Sequence, residues 1–217
     1  MPALPETTPH PESRTLTVRR RGLVDYASTW RDMQAFTDRR TPATMDELWL
    51  QEHPPVFTLG RNGKTEHLLD TQAIPVIRVD RGGQVTYHGP GQLLAYVLLD
   101  IKRRHLGVQS LVSILEQAVI DLLADYHIHG LRRDKAPGVY VDKRKVAALG
   151  LRIRRGCCFH GLSLNVNMDL TPFSMINPCG FRDLEVTQLS DLGIASSLEE
   201  IAVQYQDHLQ RLLLEAT

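Results

Sequence analysis

The stretch Arg81-Gly82-Gly83-Gln84-Val85-Thr86-Tyr87-His88-Gly89-Pro90-Gly91-Gln92 decides how the chain is read. Its glycines and proline interrupt what would otherwise read as one long strand. Ile74, Val76, Ile77 and Val79 lead in as an apolar strand, and Leu93, Leu94, Tyr96, Val97, Leu98 and Leu99 lead out as another. The glycines are therefore expected between two core strands. Gly82-Gly83 lets a ligand approach the main chain with no Cβ in the way, while Gly89-Pro90-Gly91 makes a tight, stiff turn. A hairpin loop alone has no need of Arg81, Thr86, Tyr87 and His88 in one short segment, so the stretch reads as a place of backbone contact with a ligand. Neither the Gly-x4-Gly-Lys-Ser/Thr phosphate loop nor the Gly-x-Gly-x-x-Gly dinucleotide fingerprint has this spacing.

Working outward, Val24, Ala27, Trp30, Met33 and Phe36 predict an amphipathic helix from about Val24 to Thr37, and short strands follow at 46–53 and 56–60, divided by Pro54-Pro55. Downstream, Leu111, Val112, Leu115, Val119, Leu122, Leu123 and Tyr126 predict one apolar face of a helix over 109–126, with Glu116, Gln117, Asp121 and Asp125 off it. Strand-rich sequence returns over 139–167, with turns at Asp142-Lys143 and Arg155-Gly156. A last helix opens on the capping-box pattern Ser197-x-x-Glu200 and directs Ile201, Tyr205, Leu209, Leu212 and Leu213 inward. This mixed order predicts a single α+β domain, a mixed or largely antiparallel sheet with packed helices. Residues 1–14, with Pro2, Pro5, Pro9 and Pro11, read as a disordered leader ahead of one domain over 15–217.

A chain of 217 residues with 42% apolar and 23% charged residues is expected to form one well-buried domain. Its formal net charge of zero gives no global reason to expect nucleic acid or an anionic membrane as partner. The odd cysteine count (Cys157, Cys158, Cys179), with no secretory pattern at the start, reads as a cytoplasmic protein with free thiols, and no apolar run is long enough to span a bilayer.

Cys179 is the candidate nucleophile. Asn177-Pro178-Cys179-Gly180 is not expected to continue a strand or helix, so its thiol belongs on a loop, whereas Cys157 and Cys158 open an apolar strand, where one of them is expected to face the core as a small hydrophobe. A nucleophilic thiol needs a nearby cation or base. In Lys145-Val146-Ala147-Ala148-Leu149-Gly150-Leu151-Arg152-Ile153-Arg154, alternation puts Lys145 on the face of Ala147, Leu149, Leu151 and Ile153. At the strand's end it either snorkels to water or turns inward. Turned inward, it is expected to have a lowered pKa and to serve a thiolate or exchange protons near neutrality.

Four blocks carry a resemblance: 81–92; 145–152; His160-Gly161-Leu162-Ser163-Leu164-Asn165; and Asn177-Pro178-Cys179-Gly180 with Val186-Thr187-Gln188-Leu189. In this order they resemble the lipoyl(octanoyl) transferases. The resemblance implies the fold of the biotin and lipoate protein ligases and transfer of an octanoyl group from acyl carrier protein to a lysine of lipoate-dependent domains. The acceptors it implies are the lipoyl domains of 2-oxoacid dehydrogenases and the glycine cleavage H protein. It also implies that Cys179 carries the acyl thioester, that Lys145 handles protons, and that Arg81, Gly82, Gly83, Gln84, Val85, Thr86, Tyr87, His88, Ala148, Leu149, Gly150, Gly161, Leu162 and Ser163 line the acyl pocket. The family more often has alanine where this chain has Ser163.

Transfer between a thioester and an amine runs downhill, so no cofactor is expected. Two other readings stay open: an ATP-dependent lipoate or biotin ligase of the same fold, and a non-catalytic acyl-binding module. A metal held by His127, His129 and His160 lacks any supporting spacing. The nine Lys or Arg between Arg132 and Arg155, with Lys102, Arg103 and Arg104, read as solvated strand faces or a dock for an acidic carrier protein.

Overall fold

The apolar run after the glycine segment becomes the middle of a six-stranded sheet. The computed structural model describes residues 16–181 and 184–216, so the expected leader lies outside the described residues. In chain order the elements are β1 (Leu16–Leu23), α1 (Tyr26–Asp38), β2 (Asp46–Glu52), β3 (Val56–Leu59), β4 (Val76–Arg78), β5 (Val85–His88), β6 (Gln92–Asp100), α2 (Val108–Asp125), β7 (Val139–Val141), β8 (Arg144–Arg154), β9 (Cys157–Asn165) and α3 (Leu198–Glu215). The large sheet has the order β1-β2-β6-β9-β8-β7, with β1 and β2 parallel and every other pair antiparallel. A small sheet has the order β4-β3-β5. The expected mixed sheet with packed helices is what the chain forms.

Helices α2 and α3 cover one face of the large sheet, where Leu111, Leu115 and Val119 of α2 and Ile201, Tyr205 and Leu209 of α3 meet Leu93, Ala95, Val97 and Leu99 of β6 and Leu162 and Leu164 of β9. The intervening residues Leu94, Tyr96 and Leu98 meet Met33 of α1 on the opposite face. Because β6 is buried on both faces, its sequence is a continuous apolar run rather than an alternation. The capping box is formed: the Ser197 hydroxyl accepts from Glu200 N–H, and the Glu200 carboxylate accepts from Ser197 N–H at 2.7 Å.

Four sequence expectations need correction. The lead-in segment is not a core strand: β4 is a three-residue edge strand with Val76 40% exposed, paired only with β3, and Phe57 and Leu59 of β3 supply the buried positions. The glycine stretch does not interrupt one strand but changes sheets, with β5 in the small sheet and β6 in the large one. The corner is Gly91, at φ +84°, where a Cβ would lie 1.9 Å from the Asn167 carbonyl oxygen. Helix α1 starts after an Asp25 cap and turns Tyr26, Thr29, Met33 and Thr37 inward, leaving Ala27, Trp30 and Phe36 half-buried. Glu116 of α2, expected on the polar face, is buried.

Candidate active site

The site is assembled where the chain after β9 returns to the start of β8. Past the end of β9, the segment 185–187 takes over as β8's neighbour: Lys145 N–H donates to Glu185 O and Thr187 N–H donates to Lys145 O, each at 2.9 Å. Asn165 fixes the same segment by donating from its side chain to Thr187 O at 2.9 Å. Six residues upstream of Glu185, Cys179 sits in a one-turn 3-10 segment, Pro178–Gly180, with φ 56° and ψ 14°. Left-handed backbone at a non-glycine residue is sparsely populated and is held here by the hydrogen bonds from Gly180 N–H to Asn177 O and from Asn177 N–H to His67 O.

Lys145 does not snorkel. It is 4% exposed, and its ammonium donates to Cys179 Sγ at 3.1 Å and to Pro137 O at 3.0 Å, with the Tyr140 ring 5.1 Å away. The direction of its pKa corrects the expectation. Burial, the largest single influence, pushes the pKa down, but the charge and hydrogen bond of Cys179, together with Tyr140, outweigh it and leave the lysine above its ordinary value. The ammonium is placed to pair with the Cys179 sulfur. Burial pushes the thiols of Cys157 and Cys158 up.

Both groups face a cavity of about 360 Å³ whose lining, among the described residues, includes no Asp or Glu. Gly82, Gly83, Gln84, Val85, Thr86, His88, Ala148, Leu149, Gly150, Gly161, Leu162 and Ser163 all border it, as does Arg81. Tyr87 does not: β5 alternates, and its ring packs against Phe57 and Phe173 within the small sheet's own core. The Arg81 guanidinium is occupied by the protein, donating to Thr58 O at 2.7 Å, Gln84 O at 3.0 Å and Gly82 O at 2.9 Å, so it shapes the glycine loop from behind. Gly82 N–H donates to Leu151 O at 2.9 Å, clipping that loop to the edge of β8 beyond the point where β7 ends. Gly161 keeps the strands together: a Cβ there would lie 2.0 Å from the Ala95 carbonyl oxygen. The Ser163 hydroxyl donates to Ala148 O at 3.4 Å, so the polar atom is satisfied within the strand pair.

Sequence reading missed the polar side of the cavity. Tyr26, Tyr96 and His160 also line it. His160 has φ 64° in mid-strand, which turns its ring off the parity of β9; its Nε2–H donates to Asp80 at 2.9 Å, and Asp80 also accepts from Trp30 Nε1 at 2.7 Å. Burial alone would raise the Asp80 carboxyl, but these donors bring it down to about 2. Next to this pair, burial holds His53 down to about 4 and His88 well below its usual value, so these rings are neutral. Only a residue departing from strand alternation could place His160 here, and no periodicity signals that. Among the described residues no group of His, Cys, Asp and Glu is arranged to hold a metal. Val112, Lys135, Ala136 and Pro137 complete another wall, and Val108 and Phe181, half-exposed, stand beside them.

The family described as the lipoyl protein ligase A/B catalytic domain matches residues 25–210. The chain is 56% identical over 199 residues, 91% of this chain and 88% of the relative, to an octanoyltransferase from an Azoarcus species. Its fold is similar to lipoate-protein ligase A bound with ATP (TM-score 0.76, 16% identity, covering 92% of this chain and 85% of that one). A biotin protein ligase from Aquifex aeolicus is also similar (TM-score 0.56, 13% identity, 93% and 70%). The ligases thus share the architecture alone, while more than half the residues are shared with a transferase, and the chain belongs to the octanoyltransferase branch of the lipoyl protein ligase A/B family.

Proposed function

We propose that this transferase moves an octanoyl group from acyl carrier protein to a lysine of lipoyl domains, those of 2-oxoacid dehydrogenases and the glycine cleavage H protein, in the cytoplasm and through a thioester on Cys179. The observation that supports the route is Cys179 Sγ 3.1 Å from a buried ammonium on the wall of a largely apolar cavity. No helix among the described residues is long and apolar enough to cross a membrane, consistent with soluble partners.

In the first half-reaction the Cys179 thiolate attacks the thioester carbonyl carbon, the bond from that carbon to the carrier's sulfur breaks, and Lys145 gives its proton to the departing thiolate. The proton changes Lys145's circumstances. While Cys179 is charged, Lys145 is held protonated; once the sulfur is acylated that charge is gone, and burial, opposed only by Tyr140, weighs more heavily and lowers the lysine's pKa. Lys145 is therefore an acid before acylation and a base after it. In the second half-reaction the acceptor amine attacks the acyl carbon, Lys145 takes its proton, the carbon–sulfur bond breaks, and the starting ion pair is restored. The oxyanion in both steps is assigned to main-chain N–H groups that border the cavity, from 148–150 and from the glycine loop other than Gly82, whose N–H is taken by Leu151 O.

Intact-mass measurement after incubation with octanoyl-carrier protein tests this. The wild type is expected to gain one octanoyl group and Cys179→Ala none; an adduct on Cys157 or Cys158 would overturn the assignment. Lys145→Arg keeps a cation but can neither give up nor take a proton, so acyl-enzyme should still form, more slowly, because a thiolate can leave unprotonated, while transfer to the acceptor falls further, by roughly 100-fold or more. Equal losses in both half-reactions would remove the base role.

A further inference from the structure

Glu116 is a carboxylate where the sequence has no use for one. It lies on the buried side of α2, 5% exposed, among residues that otherwise fill an apolar core. A carboxylate in such a place must be hydrogen-bonded, and both oxygens are. Oε2 accepts from Arg132 Nε at 3.1 Å; Oε1 accepts from the main-chain N–H of Gly138 at 2.8 Å. The pair with Arg132, whose side chain is 41% exposed, needs no buried partner. The bond to Gly138 does.

Gly138 follows Pro137, whose carbonyl is the second acceptor of the Lys145 ammonium. The turn is also gripped from the other side, where the Tyr140 hydroxyl donates to Ala136 O at 3.0 Å. Space around it is closed: Gly138 has φ +135°, and a Cβ there would meet Ala147 O at 2.5 Å and Lys145 Cε at 3.0 Å. An ammonium on a four-carbon stem has three donors and free rotation about its last bond, so one acceptor besides the sulfur is what settles where its protons point. We propose that Glu116 is a positioning residue for transfer: by holding Gly138 it fixes the Pro137 carbonyl, which aims the Lys145 ammonium at Cys179. The proposal rests on the Cys179–Lys145 reading above.

Two substitutions separate reach from charge. Glu116→Asp keeps the charge on an arm one methylene too short for Gly138; Glu116→Gln keeps the reach, with an amide oxygen as acceptor, and loses the charge. Arg132→Gln removes the surface pair, with Arg132's bonds to Ser113 O and Gln117 Oε1, and leaves the Glu116–Gly138 bond in place. The readouts are the pH at which Cys179 is half-alkylated by iodoacetamide, steady-state kcat and donor KM, and the thermal midpoint. Glu116→Asp is expected to move half-alkylation up by about half a pH unit or more and to lower kcat about tenfold with donor KM within about twofold, while Glu116→Gln and Arg132→Gln stay near wild type. Were Glu116→Asp to lower only the thermal midpoint, the role would be structural and the proposal wrong; a shift in Glu116→Gln or Arg132→Gln as large as in Glu116→Asp would also overturn it, by showing that charge is what matters. Lys145→Met in the same assay guards the underlying reading: if its alkylation profile matches wild type, the pair itself fails, whereas a shifted Lys145→Met beside an unshifted Glu116→Asp sinks only the role of Glu116.

Discussion

The large sheet and the small sheet are held together by different forces. The large one is closed by apolar side chains from α2 and α3, each touching several others, so no single residue defines its shape. The small one has a modest apolar cluster and leans on Arg81, which ties Thr58 of β3 to the glycine loop through Thr58 O, Gly82 O and Gln84 O. Apolar burial is forgiving of direction and gives stability; directional bonds from one buried guanidinium give position. The cavity lies against both, with strands of the large sheet as one wall and the glycine loop as another.

The largest effect on stability is expected on the side of the large sheet. Leu115→Ala empties a fully buried site and should cost about 3 kcal/mol by urea denaturation, with transfer per folded molecule unchanged well below the melting point. An equal loss of transfer would show that the two regions are not separable. A smaller stability effect with a larger functional one is expected across the divide: Arg81→Lys replaces a fork of donors by a single point charge, costing about 1–2 kcal/mol but lowering kcat/KM by roughly tenfold or more. Hydrogen exchange should then rise at 82–88 while β6 and β9 stay protected; a uniform rise would break the contrast.

The smallest effect is an acid one, also local. Buried His53 is neutral because desolvation depresses its pKa from the usual 6.5 to about 4, and the same cause holds His88 well below its usual value. The unfolded chain binds protons that the folded one refuses, so stability is fully present above about pH 6.5 and declines as pH falls toward about 4. Exchange at β5 and the start of β6 should increase through that window before exchange in α2 and α3 does. Simultaneous loss everywhere would mean that these histidines do not set the acid limit.

What the sequence made legible follows the same division. Helices α2 and α3 and strands β6 and β9 are visible because burial against a wide apolar layer imposes period or continuity on the chain itself. The small sheet's edge strand was misread, since Ile74, Val76 and Ile77 look like any core strand until the absence of a second neighbour for β4 shows otherwise. Lys145 and Glu116 were ambiguous or misplaced for one reason: a buried charge is explained by its partner, and the partners, Cys179 and Gly138, lie 34 and 22 residues away. Motif resemblance found Lys145 because its partner sits in a recognisable block. It could not find Glu116, whose partner is a main-chain N–H with no side-chain signature.

Gly161 and Ala95 are pressed together in adjacent strands. Strands β6 and β9 lie at the middle of the large sheet, and one surface of that pair supports the helices while the other borders the cavity. An acyl chain resting there behaves as a removable piece of the hydrophobic interior, worth roughly 0.8 kcal/mol for each methylene taken out of water. On the proposed reaction, each turnover would add that contribution while the cysteine is acylated and give it up on transfer.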